Sequence, residues 1–145
     1  MRMGSKIDWI IHCVVNGVCD ACGNIENSFI PYACNAHTHG MKRYNHPDFQ
    51  LVLDYPHQEI ARILNTMGLR VQSGERFKAG DLVEGIYMDC SVRLDEAEEC
   101  GRMVLRVVIP DKYNIFPEDE RCMERYRVQK LPTEALFIEN GGAVS

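Results

Sequence analysis

Three stretches of this chain alternate core-forming and other residues with a period of two, and that period commits the chain to a sheet. Met103, Leu105, Val107 and Ile109 alternate with Arg102, Val104, Arg106 and Val108, and Pro110 closes the run. Phe49, Leu51 and Leu53 alternate with Gln50, Val52 and Asp54. Nearer the start, Ile7, Trp9, Ile11 and Cys13 alternate with Asp8, Ile10, His12 and Val14. Side chains two apart on a strand share a face, so each run offers one row to a core. Shorter strands are predicted over 28–33, 82–89, 91–94 and 126–130, and the acidic stretch DEAEEC over 95–100 reads as a solvated hairpin turn.

One segment reads as a substantial helix. Asp54 and Pro56 offer a cap and an early helical proline, and Ile60, Ile63, Leu64 and Met67 fall on one stripe. Gly68 supplies a left-handed stop, which predicts one principal helix over about 56–68. A short helix is predicted over 132–137. Strands joined by brief turns around one helix define an α+β class with a mainly antiparallel sheet.

The 145 residues suit a single domain over 1–145, with loose ends at 1–5 and 139–145 that carry little to pack. An apolar fraction of 46% with 26% charged residues excludes disorder and fibrous repeats. The net charge of −5 argues against a nucleic-acid partner, because phosphate contacts need a basic face. The apolar stretch 7–15 is too short to span a membrane, is interrupted by Asp8 and His12, and lacks a small-residue cleavage site. The expectation is a cytoplasmic protein with no membrane partner.

Seven cysteines is an odd count, so a complete disulfide framework is impossible and a reducing compartment with metal binding fits better. Cys19 and Cys22 form a CxxC turn followed by Gly23, and Cys34, His37 and His39 come next. Thiolate and imidazole are the ligands zinc prefers, so Cys19, Cys22, Cys34 and His37 form the expected zinc set, on a knuckle-like hairpin. His37 and His39 are two apart and would share one face of a strand, which makes His39 an alternative ligand. Full coordination by the four would be a structural site; an open position would be catalytic. A bare thiol pair or redox work by the CxxC turn are the competing readings. Cys13, Cys90, Cys100 and Cys122 read as small hydrophobes.

The segment YACNAHTHGMKRYNHPD over 32–48 gathers three of the five histidines between two strands and reads as a functional loop. Its THGM and NHPD pieces, followed by a helix carrying Leu64 and Asn65 and a turn carrying Gly74 and Glu75, resemble a known pattern. The pattern is similar to the bacterial family catalogued as domain of unknown function 4262, matched at Thr38, Gly40, Met41, His46, Pro47 and Asp48 over about 32–116. That resemblance implies no established activity. The chain departs from the family pattern in its CxxC hairpin and in His39, where an aliphatic residue is usual.

His46 and Asp48 pair a base with a carboxylate, and Glu75 could be brought near by the turn after the helix. The competing structural reading has His46 brace the turn and Asp48 cap it. No GxSxG, P-loop or GxGxxG motif is present, so enzyme status is left open. Three functions are expected in turn. The first is a zinc-binding module that holds a small molecule or a protein partner on the CNAHTHG–NHPD loop. The second is a metal-dependent hydrolase using His39, His46 and Asp48. The third is a homo-oligomer joined through exposed strand edges.

Overall fold

The computed structural model describes residues 7–14, 17–18, 25–26 and 30–136. Its strands are β1 (Ile10–Val14), β2 (Gly17–Val18), β3 (Ile25–Glu26), β4 (Ala33–His39), β5 (Phe49–Leu53), β6 (Leu82–Val83), β7 (Val92–Glu99) and β8 (Arg102–Val108). The long helix α1 covers His57–Gln72, and a single turn, α2, covers Glu124–Arg127. The chain is α+β: six strands form a mixed sheet in the order β1-β4-β5-β8-β7-β6. β5 and β8 pair in parallel, and the other neighbours run antiparallel. β2 and β3 form a separate two-stranded ladder. Cys19 and Cys22, the core of the expected zinc knuckle, lie outside the described residues.

Both faces of the central strands are covered, and that explains why β5 is buried at every position. α1 packs on β4 and β5 from one side, while the 3-10 turn Val128–Lys130 packs on β5 and the turn Thr133–Ala135 packs on β7. A strand buried twice reads as a continuous apolar run broken only where a polar side chain has a partner. Gln50 is that break in β5.

The helix runs past Gly68, the expected stop, and ends at Gln72. Gly68 is there for space: a Cβ on it would come within 2.5 Å of the Trp9 indole. Trp9 lies across this notch and donates from Nε1 to Asn65 Oδ1 at 2.9 Å. Termination falls instead to Gly74, whose φ of 115° only glycine adopts without strain, with its N–H donating to the Val71 carbonyl.

Two other expectations are corrected. The acidic stretch is strand, not turn: β7 extends through Glu99, and the reversal is confined to Cys100 and Gly101, at φ of 55° and 77°. Two of its carboxylates are held by ion pairs, Asp95 by Arg93 of the same strand at 2.8 Å and Glu99 by Arg102 of β8 at 3.1 Å. Residues 126–130 are helical rather than extended, and a side chain does the strand's work there. Gln129 accepts from Ile109 N and donates to Ile109 O, both at 2.7 Å, so one amide stands in for a neighbouring strand. Of the segment over 28–33, residues 28 and 29 lie outside the described residues and strand begins at Ala33, while the segment over 82–89 contributes strand at Leu82–Val83. The short helix expected over 132–137 is the 3-10 turn Thr133–Ala135. Among the described residues, no helix is long and apolar enough to cross a membrane.

Candidate metal centre

Register carries a row of polar residues straight across one face of the sheet. His12 on β1 pairs with His37 on β4, His37 with Gln50 on β5, Gln50 with Arg106 on β8, and Arg106 with Asp95 on β7. Directly paired residues share a face, so five strands contribute to one line. At its β1 end, His37 and His39 alternate onto the same side of β4, with ring centroids 4.8 Å apart. His12 completes a trio, 5.9 Å from the His37 ring and 5.1 Å from that of His39. One nitrogen from each of the three lies within 4.8 Å of the others, close enough to hold one metal ion.

The trio is graded in burial. His37 has no exposed surface, while His12 and His39 are half-buried. Burial penalises the imidazolium and holds His37 down to about 4, against the opposing pull of the Glu99 carboxylate. Burial, with Arg102 nearby, also keeps His39 below the ordinary histidine range. Neutral rings are what a cation needs. His37 Nδ1 meets Asn35 Oδ1 at 3.1 Å and Glu99 Oε2 at 3.5 Å. Arg102 in turn holds Glu99 Oε1 at 3.2 Å from its Nε.

Of the expected ligands, His37 and His39 are brought together and Cys34 is not brought to them. Cys34 lies on the opposite face of β4, its thiol 3.3 Å from the Leu53 carbonyl and bonded to Cys13. That hydrogen bond between two free thiols pulls the Cys13 thiol down and, together with burial, pushes the Cys34 thiol up.

The residues of the THGM and NHPD pieces hold the connection between β4 and β5. Asp48 Oδ1 accepts from Thr38 Oγ1 at 2.7 Å and from Met41 N at 3.0 Å, while its Oδ2 takes Arg102 Nη1 at 2.6 Å. Thr38 Oγ1 accepts from Phe49 N at 3.0 Å. His46 donates from Nδ1 to the Pro47 carbonyl at 2.9 Å and accepts the Phe77 N–H on Nε2 at 3.0 Å. Both nitrogens of His46 and both oxygens of Asp48 thus have structural partners. Glu75 forms an exposed pair with Arg70 at 2.9 Å, remote from the trio in its bonding.

His12 was not among the residues the sequence nominated. The signal was present, since in β1 it alternates away from the packed Ile11 and Cys13. Linking it to His37 required knowing that β1 pairs with β4.

The chain is therefore an α+β protein whose sheet presents three histidines placed to hold a metal ion. Comparison with family models, with curated proteins and with solved structures finds no match.

Proposed function

We propose that this protein is a metal-binding module whose ion, zinc, is held by His12, His37 and His39. The observation that carries the reading is the convergence of three imidazole nitrogens within 4.8 Å on adjacent strands. It is supported by the buried, neutral state of His37 and by the Asn35 and Glu99 groups behind its Nδ1, the kind of outer support that metal-bound histidines use. Three protein ligands leave a fourth position for water, a small molecule or a partner's side chain. When bound there, zinc would supply Lewis acidity and a water that ionises near neutral pH. Hydrolytic use of that position is the second reading, favoured by the ligand count alone, with His46 and Asp48 holding the loop. The similarity to the family of domain of unknown function 4262 is proposed on the short motifs alone.

The competing ligand set is Cys19, Cys22, Cys34 and His37. Elemental analysis and zinc titration of the wild type, His39→Ala and Cys22→Ser separate the two. One equivalent of zinc, lost in His39→Ala and kept in Cys22→Ser, is the expected result. Retention in His39→Ala with loss in Cys22→Ser would overturn the assignment in favour of the thiol set.

A further inference from the structure

The polar row contains a hydrogen-bond chain whose direction is forced at its far end. Arg106 is an obligate donor, and its Nε lies 2.8 Å from Gln50 Oε1. The Gln50 oxygen therefore faces Arg106, and its amide nitrogen faces the other way. There Nε2 lies 3.1 Å from Asn35 Oδ1 and 3.2 Å from Thr133 Oγ1. The second contact checks the orientation, because the Thr133 hydroxyl gives its own proton to the Glu98 carbonyl at 2.6 Å and can only accept from Gln50. Asn35 must then present its oxygen to Gln50, and that same oxygen lies 3.1 Å from His37 Nδ1. At the other end, Asn35 Nδ2 lies 3.5 Å from the Glu99 carboxylate, which is held by Arg102 and acts as an acceptor. An oxygen cannot donate, so His37 Nδ1 carries the proton and Nε2 is the lone-pair nitrogen.

We infer that Arg106, Gln50 and Asn35 are positioning residues that set the tautomer of His37, and so determine which of its nitrogens can take a metal. This inference rests on the proposed ion at His12, His37 and His39. Arg106 also binds the Gln129 carbonyl at 2.9 Å, the Leu131 carbonyl and Thr133, so it additionally staples the C-terminal turns to the sheet. Among the described residues it has no carboxylate within ion-pair distance. A purely stapling role would leave the imidazole tautomer indifferent to Gln50, and that difference can be measured.

The test is nitrogen-15 NMR of the histidine rings in the metal-free protein, read beside zinc titration, for the wild type and Gln50→Glu. Glutamate at this position keeps the shape and pairs with Arg106, but it cannot donate to Asn35. If the relay rather than Glu99 sets the tautomer, Asn35 then turns its nitrogen inward, giving up its 3.5 Å contact with Glu99, and His37 Nδ1 has to accept although the same carboxylate lies 3.5 Å from it. The expected result is an Nδ1–H tautomer in the wild type, a shift to Nε2–H in Gln50→Glu, and zinc bound roughly 10–100-fold more weakly by the variant. An Nε2–H tautomer in the wild type, which needs no variant to observe, would overturn the relay. So would an unchanged Nδ1–H tautomer in Gln50→Glu. The expected tautomers with no zinc uptake by the wild type would uphold the relay and sink the metal assignment alone.

Discussion

The two faces of the central sheet are built on opposite principles. Towards α1, Leu51 and Leu53 meet a helix stripe of Ile60, Ile63, Leu64 and Met67, all buried and without directional demands. Towards the C-terminal turns, Asn35, His37, Gln50 and Arg106 are equally buried, yet each depends on a named donor or acceptor. The helix face is held by area, which tolerates a change of shape as long as volume is kept. The polar face is held by direction, where exchanging one atom for an isosteric one can reverse a chain of bonds. The difference shows why the histidines belong to the second face: orientation is useful to a ligand and irrelevant to a core.

The largest effect that separates the faces is expected on the helix side. Leu64→Ala removes a fully buried side chain and should cost roughly 3–4 kcal/mol in chemical denaturation, leaving the histidine trio intact. A cost below about 1 kcal/mol would show that α1 does not anchor that face.

Acid should attack the polar side instead. Unfolded His37 takes up a proton near its ordinary value of 6.5, whereas the folded ring does so only near 4. Between those values the unfolded chain binds a proton that the folded one refuses, so stability falls as pH drops through the window. The full loss from this group is on the order of 3 kcal/mol. It should vanish from the pH dependence of His37→Gln, measured against the wild type.

Gly68→Ala tests the notch beneath Trp9 by sign. Helix propensity alone favours alanine by about 1 kcal/mol. Contact at 2.5 Å with the indole should outweigh that and leave the variant destabilised by about 2 kcal/mol. A raised melting temperature would mean that the indole yields.

His39→Ala should leave stability within about 0.5 kcal/mol, since the ring is half-buried, while abolishing zinc uptake. Smallest of all, Glu75→Ala breaks an exposed pair with Arg70 and should change stability by no more than about 0.5 kcal/mol.

Much of the sheet was legible because burial on one face leaves a period-two trace. Trp9, Ile11 and Cys13, then Phe49, Leu51 and Leu53, then Leu105 and Val107 all fall in or against the core. The acidic strand was not legible, because its row of buried side chains stops at Leu94 and the pairings of Asp95 with Arg93 and Glu99 with Arg102 do not distinguish a strand from a turn. Gly68 was misleading for a related reason: glycine ends helices by its own conformation, but here it answers to the Trp9 ring 59 residues earlier in the chain.

The candidate site divides in the same way. His37 and His39 were readable as a pair, since two residues on one strand need no further information to share a face. His12 and the Arg106, Gln50 and Asn35 relay were not readable, because each member sits on a different strand and only register aligns them.

By itself, the sequence determined that the three alternating runs are strands with a core face, where the long helix begins, and which chemical groups were available to meet a cation. These are local properties, written in spacings of two and of three to four residues. Tertiary structure alone decided that β1 lies beside β4, that β8 lies beside β5, and that His12, His37, Gln50, Arg106 and Asp95 therefore fall on one line. Strand order and register are set by how the whole core closes, and a shift of one residue would have sent every member of that row to the other face.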